Sequence, residues 1–229
     1  MILQDVISLF GRIIGQVRLL SLKRGLEYTQ EDWSKYVHQH TERRWFSLRV
    51  DKNPLDLWIF QEIIYEVKPD YIIETGTQFG GTTFFLAHLL DLLGHGEVIT
   101  IDIIDGMAPE VKAHPRVIQI VGSSTSTQTV EKIRRIVKNG RTLVDLDSEH
   151  TTDHVLRELE LYSPFVSVGS YVIVEDTMLD TFYHHEGYPS GPLKAVEKFL
   201  RKNDNFEIDT SKEKLLITWN PKGYLKRKK

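Results

Sequence analysis

The chain has 229 residues, of which 41% are hydrophobic and 27% are charged, a composition typical of a folded globular domain and not of a disordered or fibrous chain. The formal net charge of −3 gives the molecule no basic character, so we expect no nucleic-acid partner. No cysteine is present, which excludes disulfides, thiolate metal sites and a cysteine nucleophile, and fits a cytoplasmic location.

Residues 1–50 are predicted to form a helical N-terminal extension. Apolar residues recur every three or four positions over residues 2–20, which is the spacing of a helix with one apolar face. Asp5, Arg12 and Arg18 interrupt this stretch, so it lacks the apolar run of about 18–20 residues that a membrane span needs. Two interpretations stay open: the helix packs on protein, including a second subunit of a homo-oligomer, or it lies on a membrane surface.

Residues 51–222 are predicted to form one α/β domain. Asn53 and Pro54 have the chemistry of a helix start, and Pro69 ends that helix. Beyond it, β-branched runs alternate with stretches long enough for helices. The predicted strands are 71–75, 97–102, 116–121, 142–147 and 170–176, and the predicted helices between them are 81–93, 126–139 and 152–163. This alternation indicates a doubly wound, mostly parallel Rossmann-like sheet with helices on both faces.

The end of the chain departs from this alternation. The predicted strands "NFEIDT" (205–210) and "KLLITW" (214–219) are separated by three residues only. Parallel strands cannot be joined by so short a connection, so these runs predict an antiparallel C-terminal hairpin. Residues 223–229, "GYLKRKK", are predicted to be a basic tail.

A glycine-rich turn, "IETGTQFGGT" over residues 73–82, follows the first strand of the alternating region. Its spacing lacks the second glycine, two residues after the first, that the dinucleotide fingerprint places against a pyrophosphate, and this counts against an NAD enzyme. Thr77 and Gln78 fill that region instead. The carboxylate of Glu74 suits a cationic amino acid better than a pyrophosphate. The alternative is a tight strand–helix turn without a ligand.

The next two strand ends carry polar residues as well. Asp102 ends the second strand, where a carboxylate can accept hydrogen bonds from both ribose hydroxyls of a nucleoside. With the glycine turn, it indicates a cofactor that contains adenosine. Gly122, Ser123 and Ser124 follow the third strand, where they would lie near the adenine; the alternative is a turn that caps the next helix.

Three acids end the fourth and fifth strands, which neighbour the first strand in a doubly wound sheet. They are Asp147, Glu175 and Asp176. Three carboxylates in one cleft require a cation, and an all-oxygen ligand set favours Mg²⁺. Glu175 and Asp176 can both face the ion only if the strand ends between them. The alternative is that one of the acids caps the following helix.

The stretches "KPDYIIETGTQFGGTTFFLAHLL", "GEVITIDI", "VGSS" and "LVDLDSEHTTDHVLRELELYSPFVSVGSYVIVEDT" resemble class I S-adenosylmethionine-dependent methyltransferases. More narrowly, they resemble the cephalosporin hydroxylase-like family, which includes metal-dependent O-methyltransferases. The resemblance implies S-adenosylmethionine and Mg²⁺ as cofactors, with Asp147, Glu175 and Asp176 as metal ligands. The candidate cofactor-binding residues are Glu74, Gly76, Thr77, Gln78, Thr82, Asp102, Gly122, Ser123 and Ser124.

The resemblance implies that a hydroxyl of a small molecule, saccharide or glycolipid accepts the methyl group. His150 stands three residues after Asp147, where catechol-type enzymes carry a lysine, so His150 is the candidate general base. The alternative is a helix-start residue bonded to a carboxylate. Tyr183, His184 and His185, with the loop 184–192, are predicted to line the acceptor site, and Trp45 and Trp58 to wall it.

Two other classes of function stay open at this point. The first is an Fe(II)-dependent hydroxylase whose histidines and carboxylate come from "HTTDH" (150–154) and "HHE" (184–186). The alternating α/β pattern counts against it, because nothing in the sequence indicates an all-β barrel. The second is a non-catalytic nucleotide-binding protein, against which the three metal-type acids argue.

Overall fold

Residues 43–182, 190–215 and 217–229 are described by the computed structural model, and Arg43–Lys229 form one compact unit. The predicted helix over residues 2–20 lies outside the described part of the chain, as do Tyr183, His184 and His185. Among the helices of the described part, none has the length and apolar character needed to cross a membrane.

The helices and strands follow the predicted alternation. The strands are β1 Arg44–Trp45, β2 Leu48–Arg49, β3 Tyr71–Thr75, β4 Glu97–Asp102, β5 Val117–Val121, β6 Thr142–Leu146, β7 Tyr171–Val174, β8 Phe206–Ile208 and β9 Tyr224–Arg227. The helices are α1 Pro54–Val67, α2 Gly81–Leu93, α3 Pro109–Lys112, α4 Thr127–Ile136, α5 Thr152–Tyr162, α6 Leu179–Phe182 and α7 Pro192–Leu200, with 3₁₀ turns at Ser163–Phe165 and Thr210–Glu213. The strands β3 and β4 begin and end at the predicted residues.

The main sheet has seven strands in the order β5-β4-β3-β6-β7-β9-β8. Strands β3 to β7 are parallel, and β9 runs antiparallel to both of its neighbours, β7 and β8. This confirms the doubly wound fold class with an antiparallel C-terminal hairpin. The strand order changes side at β3: β4 and β5 follow on one side of it, and β6 and β7 on the other. The last residues of the two strands at this point, Thr75 of β3 and Leu146 of β6, are paired. A crevice is expected beyond these two strand ends.

Alternate residues of the central strands supply two apolar layers. Ile72 and Leu143 pack with α1 and α2 on one face, and Ile73 and Val144 pack with α5 and α7 on the other. All four of these side chains are fully buried. Burial on both faces explains why β3 and β6 read as near-continuous apolar runs and not as alternating ones.

The second strand of the C-terminal hairpin was wrongly predicted. Phe206–Ile208 pairs with Tyr224–Arg227, not with residues 214–219. The latter segment is held by α1, where buried Asp56 accepts hydrogen bonds from the backbone N–H of Trp219 (2.8 Å) and from the Tyr224 hydroxyl (3.0 Å). The strand β9 therefore lies in the stretch predicted as a basic tail, and that prediction is corrected for residues 224–227.

The described end of the predicted helical extension is not helical. Arg44–Trp45 and Leu48–Arg49 form a small antiparallel hairpin, whose turn residue Phe46 has a φ of +53°. The start of α1, in contrast, is confirmed. The Asn53 side chain accepts a hydrogen bond from Leu55 N (3.2 Å), as expected of an N-cap, and Lys68 ends the helix in a left-handed conformation.

Candidate functional site

The glycines of the turn between β3 and α2 admit other parts of the same chain. A Cβ at Gly76, whose φ is +88°, would lie 1.9 Å from the carbonyl oxygen of Asp147. A Cβ at Gly81 would lie 1.8 Å from the carbonyl oxygen of Arg49. Glycine is needed at both positions because the end of β6 and the end of β2 press against this turn. The turn therefore packs directly against two segments that are distant from it in the sequence.

Asp102, at the end of β4, stabilises the same turn by a hydrogen bond. Its Oδ2 accepts a hydrogen bond from Gln78 N (2.8 Å), and its Oδ1 accepts one from Ile104 N (2.9 Å). Each carboxylate oxygen has a second lone pair, so Asp102 can still accept hydrogen bonds from a ligand. Gln78 is held at a φ of +50°, which this bond to Asp102 stabilises.

Two adjoining cavities open at the carboxyl ends of the strands. The first, about 280 Å³, is lined by Gly76, Thr77, Gln78, Gly81, Thr82, Asp102, Asp147, Ser148, His150 and Asp176, together with Arg49 and Asp51. The second, about 590 Å³, is lined by Ile103, Ile104, Gly122, Ser123, Ser124, Thr125 and His154, among others. Gly76, Asp102 and Ser148 line both, so the two cavities are neighbouring parts of one cleft.

Of the predicted cofactor-binding residues, Glu74 takes a different position. It is buried and lines neither cavity. Its Oε2 accepts hydrogen bonds from the hydroxyls of Thr83 (2.5 Å) and Thr100 (2.6 Å). Burial, reinforced by the nearby charge of Asp145, raises the pKa of Glu74 to about 8. Its position is that of a support beneath the turn.

Asp147, His150 and Asp176 meet at the rim of the first cavity. Each offers one ligand-type atom, and these atoms lie within 4.8 Å of one another. His150 Nε2 is 3.4 Å from Asp176 Oδ2 and 4.0 Å from Asp147 Oδ1. Burial raises the pKa of Asp176 to about 6, although His150 acts in the opposite direction.

The strand β7 ends at Val174, so Glu175 and Asp176 need not point to opposite faces of the sheet. Asp176 adopts a φ of +56°, which is rare for a residue with a side chain, and its N–H donates to Asn220 Oδ1 (2.9 Å). This left-handed residue turns the backbone and brings Asp176 to the rim. Glu175 points inward and is buried.

A lysine stands inside the acidic cluster. Lys52 is buried, and its Nζ lies 2.8 Å from Asp147 Oδ2, 3.3 Å from Glu175 Oε2 and 3.7 Å from Asp145 Oδ2. Burial lowers the pKa of Lys52, but the three carboxylates outweigh it and hold that pKa well above its usual value. Lys52 thus supplies one of the positive charges that these carboxylates require.

The cluster still has carboxylate oxygens to spare. Both oxygens of Asp145 and Oε1 of Glu175 are buried without a hydrogen-bond partner. Burial raises the pKa of Asp145 to about 7 and that of Glu175 well above its usual value, although Lys52 opposes both shifts. Four acids against one lysine and one histidine leave negative charge that a hard divalent cation would satisfy. The residues present therefore fit Mg²⁺.

The histidines of the "HTTDH" stretch do not share a site. His150 lines the first cavity, whereas His154 lines the second and lies within hydrogen-bond distance of the hydroxyls of Ser124 (3.2 Å) and Ser148 (3.1 Å). This geometry does not support an iron centre built from these two residues.

Trp45 and Trp58, which were predicted to wall the acceptor site, line neither cavity. Trp58 is 60% exposed on α1, and Trp45 donates a hydrogen bond to His88 Nδ1 (2.8 Å).

A second group of metal-type side chains, His88, Asp91 and His114, lines neither cavity. Trp45 Nε1–H donates to His88 Nδ1, and Arg116 N–H donates to His114 Nδ1 (3.2 Å). Because Nδ1 is the acceptor in both rings, the neutral rings carry their hydrogen on Nε2 and have no lone pair left there for a metal. We assign this group a structural role.

Sequence reasoning missed Lys52 and Asp145. Lys52 stands in a polar stretch that reads as the approach to a helix cap, and no local pattern marks it as buried. Asp145 could have been found, because it is a charged residue inside the apolar strand β6, two residues before Asp147, which follows the end of that strand. A charged residue inside a strand buried on both faces is itself a signal of function.

The family model and the named relatives that match this chain agree on one family. Residues 35–228 match the family model described as rhamnosyl O-methyltransferase/CmcI. The protein of Mycobacterium tuberculosis strain H37Rv named "Rhamnosyl O-methyltransferase" is 30% identical over 235 residues, which cover 96% of each chain. That of Mycobacterium leprae is 29% identical over 231 residues, with 99% of this chain and 100% of the relative covered.

Among solved structures, "cmcI-D160 Mg-SAM" is similar with a TM-score of 0.63 at 19% identity, covering 81% of this chain and 76% of that one. At this identity the likeness supports the fold alone.

Proposed function

The chain belongs to the rhamnosyl O-methyltransferase/CmcI family, and we propose that this S-adenosylmethionine-dependent O-methyltransferase acts on a hydroxyl of a saccharide and requires Mg²⁺. The observation that carries the proposal is one cavity that joins the glycine turn to Asp147, His150 and Asp176. A donor bound at the turn and an acceptor at the acids would share that space. Nearly full-length relatives named for rhamnosyl transfer support a saccharide acceptor.

The lining of the cleft offers groups that would suit each part of S-adenosylmethionine. Arg49 and Asp51, whose Nε and Oδ1 are 2.8 Å apart, offer opposite charges for the carboxylate and ammonium groups of the amino-acid portion. Asp102 stands between the two cavities, where it would accept hydrogen bonds from the ribose hydroxyls. Ile103 and Ile104 supply apolar surface in the second cavity, which would hold the adenine.

Asp147, Glu175 and Asp176 would hold Mg²⁺, which when bound stabilises negative charge that develops on a hydroxyl oxygen. The buried oxygens of the cluster that lack hydrogen bonds support this assignment. Glu74 lies below the turn, and we propose that it supports the cofactor site through Thr83 and Thr100 and makes no direct contact.

His150 would act as the general base. It would accept the proton of the acceptor hydroxyl at Nε2, where the carboxylates of Asp176 (3.4 Å) and Asp147 (4.0 Å) stabilise the resulting imidazolium. Mg²⁺ prefers oxygen to nitrogen ligands, so this nitrogen stays available for the proton. The side chain is 32% exposed, which lets the proton pass on to solvent.

The experiment is a mass-spectrometric screen of rhamnosides, other saccharides, glycolipids and small phenols for a methyl-sized gain, with Mg²⁺ or with EDTA. We expect gain on a saccharide or glycolipid only when Mg²⁺ is present. Gain on phenols alone would overturn the saccharide acceptor, and full turnover in EDTA would overturn the metal requirement.

Three variants assign the residues. Asp147→Ala should lose Mg²⁺-dependent turnover but still bind S-adenosylmethionine, whereas Asp102→Ala should weaken cofactor binding in calorimetry. Asp153→Ala, whose side chain is 94% exposed on α5, is the matched control and should change neither. Unchanged cofactor affinity in Asp102→Ala would remove Asp102 from the site. The homo-oligomer and the membrane contact expected of residues 1–50 stay predictions.

A further inference from the structure

We propose that Lys52 is a resident counter-cation that holds the acidic cluster together in the metal-free enzyme and competes with the divalent cation for Asp147 and Glu175. This role rests on the proposed metal site. In it, the charge of Lys52 lowers the affinity of that site for the divalent cation. It concerns a fixed charge at a defined position and assigns Lys52 no contact with substrate.

The contacts of Lys52 are those of a counter-ion. Its ammonium group has three N–H donors and faces three carboxylates, those of Asp145, Asp147 and Glu175, at 3.7, 2.8 and 3.3 Å. Asp145 and Glu175 are buried as completely as the lysine. Without the lysine, neighbouring buried carboxylates would repel one another in a medium that screens charge poorly.

Backbone and capping contacts on both sides of Lys52 in the sequence hold it beside the carboxylates. On one side, Val50 N–H donates to Arg43 O (2.8 Å), and Arg49 O occupies the space that a Cβ at Gly81 would fill. On the other side, Asn53 caps α1 and donates through Nδ2 to Ile217 O (3.2 Å). The lysine is therefore fixed in place by the turn and the helix, and its charge stays in the cluster.

The consequence is a competition. Asp147 uses Oδ2 for Lys52 and presents Oδ1 towards His150 and the rim. A divalent cation at the rim must share Asp147 and Glu175 with the ammonium group or displace it. In either case the positive charge of Lys52 opposes binding of the ion, and its removal should strengthen binding roughly tenfold or more.

The test is Lys52→Met, which retains the length of the side chain and removes its charge. In EDTA, its melting temperature should fall below that of the wild type. In calorimetry with Mg²⁺ alone, its Kd should be at least roughly tenfold lower, so saturating Mg²⁺ should raise its melting temperature by about 3–6 °C more than that of the wild type. Lys198→Met, about half exposed on α7, is the matched control and should match the wild type in both assays.

If Lys52 had only a structural role, Lys52→Met should bind Mg²⁺ more weakly than the wild type, because its replacement would damage the site. Equal or weaker Mg²⁺ binding by a folded Lys52→Met would therefore overturn the inference. If that variant does not fold, Lys52→Met/Asp145→Asn replaces it, since loss of one buried carboxylate relieves the repulsion. Where Lys52→Met folds, Asp145→Asn should stabilise the Lys52→Met background more than the wild type, because no lysine then balances that carboxylate. An equal change in both backgrounds would also overturn the inference.

Failure of the Lys52 role and failure of the proposed function give different results. If neither wild type nor Lys52→Met binds Mg²⁺, the metal requirement of the proposed function fails, and the competition fails with it. If the wild type binds Mg²⁺ and turns over but Lys52→Met binds no more tightly, only the role of Lys52 is refuted.

Discussion

Gly76→Ala should damage both the stability of the fold and the metal site. A Cβ at this position would lie 1.9 Å from Asp147 O and 2.6 Å from Asp147 C. The end of β6 would have to move by more than about 1 Å to reach a tolerable contact, and overpacking of this kind costs roughly 1–3 kcal/mol. The φ of +88° adds about 1–2 kcal/mol for any residue with a Cβ. We expect a total loss of roughly 2–5 kcal/mol.

Gly94→Ala separates the two contributions. Gly94 has nearly the same φ, +81°, but a Cβ at this position would meet no atom within 4 Å. It should therefore lose only the conformational part, about 1–2 kcal/mol. Urea unfolding in EDTA gives both free energies, and calorimetry gives the Mg²⁺ affinity, which only Gly76→Ala should lower. Equal losses in the two variants, with unchanged metal affinity, would refute the reasoning from close approach.

Three further predictions concern the supports of the fold. The raised pKa of Glu74, about 8, means that its folded form prefers the proton; its contribution to stability is complete below about 4.5 and is lost as pH rises through 8. Between pH 5 and 8 the wild type should lose up to about 1.4 kcal/mol per pH unit from this group, and Glu74→Gln should show a shallower slope in urea unfolding; parallel slopes would contradict this. Tyr224→Phe removes the buried bond to Asp56 (3.0 Å) and should cost about 1–2 kcal/mol, whereas Tyr65→Phe, 67% exposed, should cost almost nothing; equal effects would count against the bond. Ser126→Ala removes the cap of α4, an acceptor for Thr129 N–H (3.1 Å), and should cost about 1 kcal/mol by thermal unfolding. Thr151→Ala, at the start of α5 where the side chain makes no capping bond, should cost less; the reverse order would refute the assignment.

Patterns within the sequence were enough for the central fold. The run "YIIET" and the stretch after Gly80 differ in period and in branching, so β3 and α2 could be told apart without any distant contact. The acids at 147 and 176 could be placed on one rim because parallel strands end at the same edge of a sheet.

The same reasoning misassigned the last strand for a physical reason. Residues 214–219 and 224–227 have comparable local signals, and the choice between them depends on a partner far away in sequence. Asp56, on α1, binds the Trp219 N–H and thereby leaves Tyr224–Arg227 to fill the sheet beside β7. Local periodicity contains no information about that competition.

The sequence by itself determined the class of the fold, the glycine turn after β3 and the common edge of Asp147 and Asp176, because these follow from local spacing and from the alternation of strands and helices along the chain. Only the tertiary structure decided the role of the glycines and the place of Lys52. Gly76 makes room for Asp147, and Lys52 reaches the same aspartate from 95 residues away. Such contacts arise when segments fold together, and their charge balance exists only once the carboxylates and the lysine are buried in one place.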